Sequence, residues 1–253
     1  MLGLLLALFV QPAEALIGPC AQWRISRAPT ETLAIAIPNP ARPGATLKSL
    51  ADCVGLDAPE REKWLQLSPQ QRTVALKNNS LTTIAALDEN APLAEDQEFM
   101  IPNTIIALWL GELRGAGQWA VDWQRGQQYL TYRGFHVVAL EAHQSDCRYT
   151  GCKQVTDEFM PIWKNLMGNA QLHGLFLTGH GGQDQGSAYC TDGRGHELWY
   201  FQLAADYKLG IVIVNTCQGD KAVEELKSAN GIGHGIHGTM IPVFETGHPK
   251  SLI

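Results

Sequence analysis

An α/β domain is the fold class this sequence predicts: a mostly parallel sheet flanked by helices, with a small N-terminal subdomain before it. Three observations carry that expectation. Apolar runs at 104–110, 135–140, 172–177 and 209–214 have the length and the β-branched or aromatic content of interior strands. The intervals after the first two can hold helices; in 155–168, Phe159, Ile162, Trp163 and Leu166 recur at i, i+3, i+4, i+7. Strands alternating with helices form βαβ units, which yield parallel strands with both faces covered.

Taken in order, Leu2–Val10 is apolar and leads into Pro12-Ala13-Glu14-Ala15, an A-x-A type cleavage site. Residues 1–15 therefore read as a secretory signal peptide without the usual basic start, and the protein is expected to be secreted or periplasmic. Nothing else approaches the ~18 apolar residues of a membrane span. An N-terminal subdomain is expected over 16–102. Its strand-like run Leu33–Ile37 is broken by Pro38-Asn39-Pro40 and Arg42-Pro43-Gly44. Ala45–Ala51 then leads to Val54-Gly55-Leu56, and Leu93–Phe99 runs into Met100-Ile101-Pro102. Thr-Leu-x-x-Leu-Ala before a glycine, closing on Ile-Pro, resembles a stretched LysM glycan-binding module, which would imply a cell-wall glycan as partner. The residues themselves equally allow a helical prodomain or subdomain packed against the main sheet.

The main domain is expected over 103–253. Thr104–Leu110 is its first strand, 117–133 a helix stopped by Gly134, and Phe135–Leu140 the second strand. Residues 155–168 form the next helix, Leu172–Leu177 the third strand and Leu209–Val214 the fourth. A helix over 220–229 and a further short strand within Gly238–Thr246 complete the series.

Thr178-Gly179-His180-Gly181-Gly182 directly follows the third run, and Asn215-Thr216-Cys217-Gln218-Gly219-Asp220 follows the fourth. Reacting groups gather beyond the carboxyl ends of parallel strands, so His180 and Cys217 are expected side by side on one sheet edge. Only a thiolate is a competent nucleophile, and a free thiol has a pKa of about 8.5. A neighbouring imidazole removes its proton and later protonates the leaving amine. The glycines around His180 let backbone approach a substrate, and the Gly181 N–H is placed to help hold an oxyanion.

Strand–His-Gly followed by strand–Cys resembles the caspase-like superfamily of cysteine peptidases: caspases, metacaspases, legumain, clostripain, gingipains and separase. Cys217-Gln218-Gly219 fits the Cys-[Arg/Gln/Gly]-Gly part of the caspase signature. Asn215-Thr216 replaces the usual Gln-Ala, and His180 lies 37 positions before Cys217, against about 50 in caspases. The resemblance is to the superfamily rather than to caspases proper. It covers about 100–253 and implies a caspase-like catalytic domain over 103–253, a Cys-His dyad, peptide or protein substrates and no cofactor. A rival reading is a caspase-like scaffold without activity, or a cell-envelope glycan-binding protein.

Composition narrows the alternatives. The chain has 253 residues and a net charge of −6 with no basic cluster, so a nucleic-acid role has no electrostatic footprint. No phosphate loop or Gly-x-Gly-x-x-Gly is present. His173, His180, His196 and Cys190 lack the spacing of a closed zinc site. His234 and His237 read as loop residues, and Asp220 as a carboxylate at a helix start. Asp184, Asp192 and Arg194 lie on the segment after His180. Export makes the six cysteines disulfide candidates. Cys147 with Cys152 and Cys20 with Cys53 are the expected pairs; Cys190 and Cys217 remain, and a bridge between them would extinguish the activity. The pairing is open from sequence.

Overall fold

The strand-forming runs of the N-terminal unit are too short to be stable alone. In the computed structural model, which describes residues 19–77, 84–110, 118–141, 155–184, 187–191, 197–203, 205–216 and 241–242, they pair into one antiparallel sheet. Strands β1 (Trp23–Ser26), β2 (Leu33–Pro38), β3 (Gln66–Leu67) and β4 (Phe99–Pro102) lie in the order β1-β2-β4-β3. Helix α1 (Leu47–Val54) starts where the Thr46 hydroxyl accepts from the Ser49 N–H at 3.0 Å and the Ser49 hydroxyl accepts from the Thr46 N–H at 2.9 Å. This reciprocal cap satisfies two otherwise orphaned donors. The helix stops at Gly55, whose φ of +72° is open to glycine at little cost. Leu47, Leu50, Ala51 and Val54 are its buried face. Two shorter helices follow, α2 (Arg61–Trp64) and α3 (Pro69–Lys77).

Cys20 and Cys53 are bridged, with Cα atoms 4.7 Å apart, tying the start of the described chain to α1. A loop of that length, 33 residues of separation, limits the unfolded chain enough to stabilise by roughly 3–4 kcal/mol. Cys20→Ser/Cys53→Ser is therefore expected to lower Tm by on the order of 10 °C. Calorimetry with and without reductant checks this; an unchanged Tm on reduction would show that the bridge contributes nothing.

The second sheet begins one residue after β4. Its strands are β5 (Thr104–Leu110), β6 (His136–Glu141), β7 (Leu172–Asp184), β8 (Ser187–Thr191), β9 (Glu197–Trp199), β10 (Ile211–Asn215) and β11 (Ile241–Pro242). Parallel pairing gives the order β6-β5-β7-β10-β11. Helices α4 (Gln118–Tyr132) and α5 (Val155–Gly168) cover opposite faces. Ile105, Ala107 and Trp109 of β5 cluster with Trp123 and Leu130 of α4. Ile106, Leu108 and Leu110 cluster with Phe159, Trp163, Leu166 and Met167 of α5. This double coverage is why β5 is buried throughout and reads as an unbroken apolar run. The α5-side cluster continues into the N-terminal unit through Trp23, Leu50, Trp64 and Phe99.

Asn103 is the hinge between the sheets and is fully buried. Its amide donates to the carbonyls of Ala28, Glu31 and Gly134, and its carbonyl accepts from Arg27 at 2.8 Å.

One element differs from the sequence-based expectation. The third strand does not stop at Leu177: it stays in parallel register with β5 to Gly179, then continues as an antiparallel hairpin with β8 and β9. His180 thus lies within a strand, opposite Thr191, and Cys190 is buried in β8. The cause is close packing. A Cβ on Gly179 would stand 2.5 Å from the Cys190 Sγ, so the glycines make room for β8 as much as they punctuate a turn. Among the described residues, no helix is long and apolar enough to cross a membrane.

Candidate functional site

The carboxyl edge of the parallel sheet is where the interior strands turn polar. Val212 and Val214 are buried apolar positions of β10, but the next two residues, Asn215 and Thr216, are polar and equally buried. Register places Asn215 opposite Thr178 of β7, and Thr178 opposite Trp109 of β5. His180 is two residues beyond Thr178 on β7 and is exposed. Because successive side chains alternate across a strand, His180 shares the α4-side face with Thr178 and Phe176.

Below that face Trp109 and Trp123 meet edge to face, their centroids 5.5 Å apart. The Thr178 hydroxyl and the Trp123 indole N–H are buried there without a hydrogen-bond partner. Unsatisfied buried polar groups are rare in native folds. On the opposite face, the Tyr200 hydroxyl lies 3.4 Å from that of Thr216. The carboxyl ends of β7 and β10 thus carry buried polar groups over an aromatic core, with His180 exposed beyond them.

Of the residues expected to act here, His180 and Gly181 are positioned by β7, with Gly181 opposite Cys190. Asp184 is exposed at the hairpin tip, opposite Ser187. Cys217 lies outside the described residues, as do Gly219, Asp220, Asp192, Arg194, His196, His234 and His237, the Cys147–Cys152 pair and the 1–15 segment. A Cys190–Cys217 bridge lies outside the described residues for the same reason.

The two histidines of β7 have opposite surroundings. His173 is 2% exposed at the amino end of the strand, its ring 5.1 Å from that of Phe135. It is seven positions from His180, roughly 20 Å at the rise of a strand, so no single ion takes both. Burial, and secondarily the charge of Arg27, hold the His173 pKa well below its ordinary value, against the pull of the Pro102 carbonyl. A depressed imidazole pKa means the unfolded chain takes up the proton first. Stability is full above about pH 6.5 and falls as the pH drops below it, by up to about 1.4 kcal/mol per pH unit. His173→Gln should flatten that fall; denaturant midpoints at pH 7.5 and 5.5 for both proteins measure it. Equal losses in both would show that His173 does not carry the effect.

Comparison of the chain with protein-family models, with curated proteins and with solved structures gives no match. Thr178 and Asn215 were not singled out from the sequence. Their signal was present: each is the polar residue that closes a buried apolar run.

Proposed function

We propose that this protein is an exported cysteine endopeptidase of caspase-like type, with Cys217 as nucleophile and His180 as acid and base. The observation that supports the reading best is the register Asn215↔Thr178. It pairs the strand that precedes Cys217 in sequence with the strand that bears His180, the adjacency the proposed dyad requires. The order β6-β5-β7-β10 agrees with it, since doubly wound sheets bind ligands beyond their carboxyl ends.

In the proposed reaction the Cys217 sulfur attacks the scissile carbonyl as its proton passes to His180. The oxyanion that forms is held by backbone N–H groups including that of Gly181. His180 then protonates the departing amine, and a water molecule, deprotonated by His180, hydrolyses the thioester. The Cys20–Cys53 bridge accords with an oxidising compartment, as does the signal peptide read at 1–15.

Digestion of a complex peptide library tests the proposal. The expected result is a set of new termini sharing one residue type before the cut, absent after treatment with iodoacetamide. Cleavage that survives alkylation would contradict the cysteine mechanism. Absence of cleavage together with binding to cell-wall glycan would favour the inactive scaffold or glycan-binding alternative.

A further inference from the structure

At the amino end of the parallel strands, roughly 20 Å from His180 along β7, a cleft of about 1550 Å³ opens between the N-terminal unit and the main sheet. One wall is β1 and α1, the other is the carboxyl end of α4 with Phe135, and His173 and Gly210 line its depth. We propose that this cleft is a second binding site, for a small ligand bearing a carboxylate or phosphate on an aromatic or apolar body. The proposal is independent of the peptidase reading.

Charge pairing within the cleft points to an anion. Each acidic residue of the lining already has a cation: Asp52 has Lys48 at 2.8 Å, Asp57 has Lys208 at 3.0 Å and Glu89 has Arg61 at 3.9 Å. The arginines of β1 and the turn after it do not share in this. Arg24 donates to the side-chain carbonyl of Asn39, and Arg27 to that of Asn103, both neutral. Among the described residues Arg27 has no carboxylate partner, and its charged neighbour is Arg133, also a cation. Burial and that like charge lower the Arg27 pKa to about 10.

Such a guanidinium is poorly compensated. The Phe135 ring, 4.3 Å below it, supplies part of the missing attraction. One of its five N–H donors is used by Asn103, which leaves a fork that matches a carboxylate or phosphate.

A second observation is independent of charge. His173 lines the same cleft, with its ring 5.1 Å from that of Phe135, the ring over which Arg27 lies. The ligand body has aromatic surface to rest on: Tyr129 and Tyr132 stand at the rim, 61% and 74% exposed. Exposed aromatic rings at the mouth of a cationic cleft favour a ring-bearing anion over a bare one.

Isothermal titration with benzoate and phenyl phosphate tests the site, with inorganic phosphate and benzyl alcohol as single-feature controls. Saturable binding of at least one ring-bearing anion at or below about 1 mM is expected, with each control at least tenfold weaker. Arg27→Gln should abolish it, provided circular dichroism shows the variant folded. Tyr129→Ala, at an exposed position that leaves the core intact, should weaken it about tenfold. Comparing the two anions assigns carboxylate or phosphate. Absence of binding, binding unchanged in both variants, or equal binding of inorganic phosphate would overturn the proposal; the last would indicate an adventitious anion site.

Discussion

Cys217→Ala is expected to lower peptidase activity by about 10³-fold or more, and His180→Ala by a comparable factor, with neither change altering Tm appreciably. Nucleophile and base act as a unit, so the double variant should be little worse than either single one. The stability expectation follows from position. His180 is exposed on β7 beyond its parallel pairing, so truncating it leaves no cavity in either apolar cluster. The kinetic measurement is kcat/KM on a peptide found by library digestion. Undiminished turnover in Cys217→Ala would end the mechanism. A normal His180→Ala with a dead Cys217→Ala would leave the nucleophile and remove its partner.

Asn103→Ala is expected to be strongly destabilising for a polar truncation. The side chain joins four segments: Arg27, the turn at Ala28–Glu31, the Gly134 turn and the entry to β5. Ala28 would keep a second donor, the Glu31 N–H, but the Glu31 and Gly134 carbonyls would lose theirs, and Arg27 its acceptor. The Gly134 bond is buried and the Glu31 and Arg27 bonds are part-buried; an unsatisfied buried group costs about 1–3 kcal/mol and a part-buried one less, so a total of roughly 2–4 kcal/mol is expected. At this chain length that lowers Tm by on the order of 10 °C. Asn103→Asp separates the causes. It preserves shape and the acceptor for Arg27 but sets a carboxylate oxygen against three carbonyls, so it should be about as harmful as Ala. Near-native stability for Asp would show that the amide donors are not what holds the junction.

How much of this was legible depends on what each element packs against. Helices α4 and α5 and the parallel parts of the four long strands were readable to within a few residues; the hairpin extension of β7 past Gly179 was not. A sheet covered on both faces needs unbroken apolar runs, and a covering helix needs an apolar stripe. Ser187–Thr191 was not readable as a strand. Its residues are small or polar, and it is extended because the continuation of β7 offers it an edge. Trp23–Ser26 and Gln66–Leu67 are too short to signal themselves, and they exist through pairing with β2 and β4. Asn103, in the sequence, is only an asparagine between two strands.

The candidate site was legible where it follows directly from strand ends. His180 emerges at the expected edge, and its difference from His173 could be read from position alone: one lies inside the apolar run, the other after it. That Thr178 and Asn215 face each other across β7 and β10 is visible only from the register. The cleft at the opposite end of the sheet was not readable. It is made by β1, α1, the end of α4 and Gly210, segments that no local pattern connects.

The most direct test of the central claim is the pH dependence of iodoacetamide labelling at Cys217, followed by peptide mass spectrometry in native protein and in His180→Ala. The account predicts that Cys217 is labelled faster than every other cysteine, with reactivity persisting well below the ordinary thiol pKa of about 8.5. In His180→Ala the profile should move back toward that ordinary value. Labelling of Cys217 no faster than that of the remaining cysteines, or an identical profile in the two proteins, would contradict a thiol activated by His180.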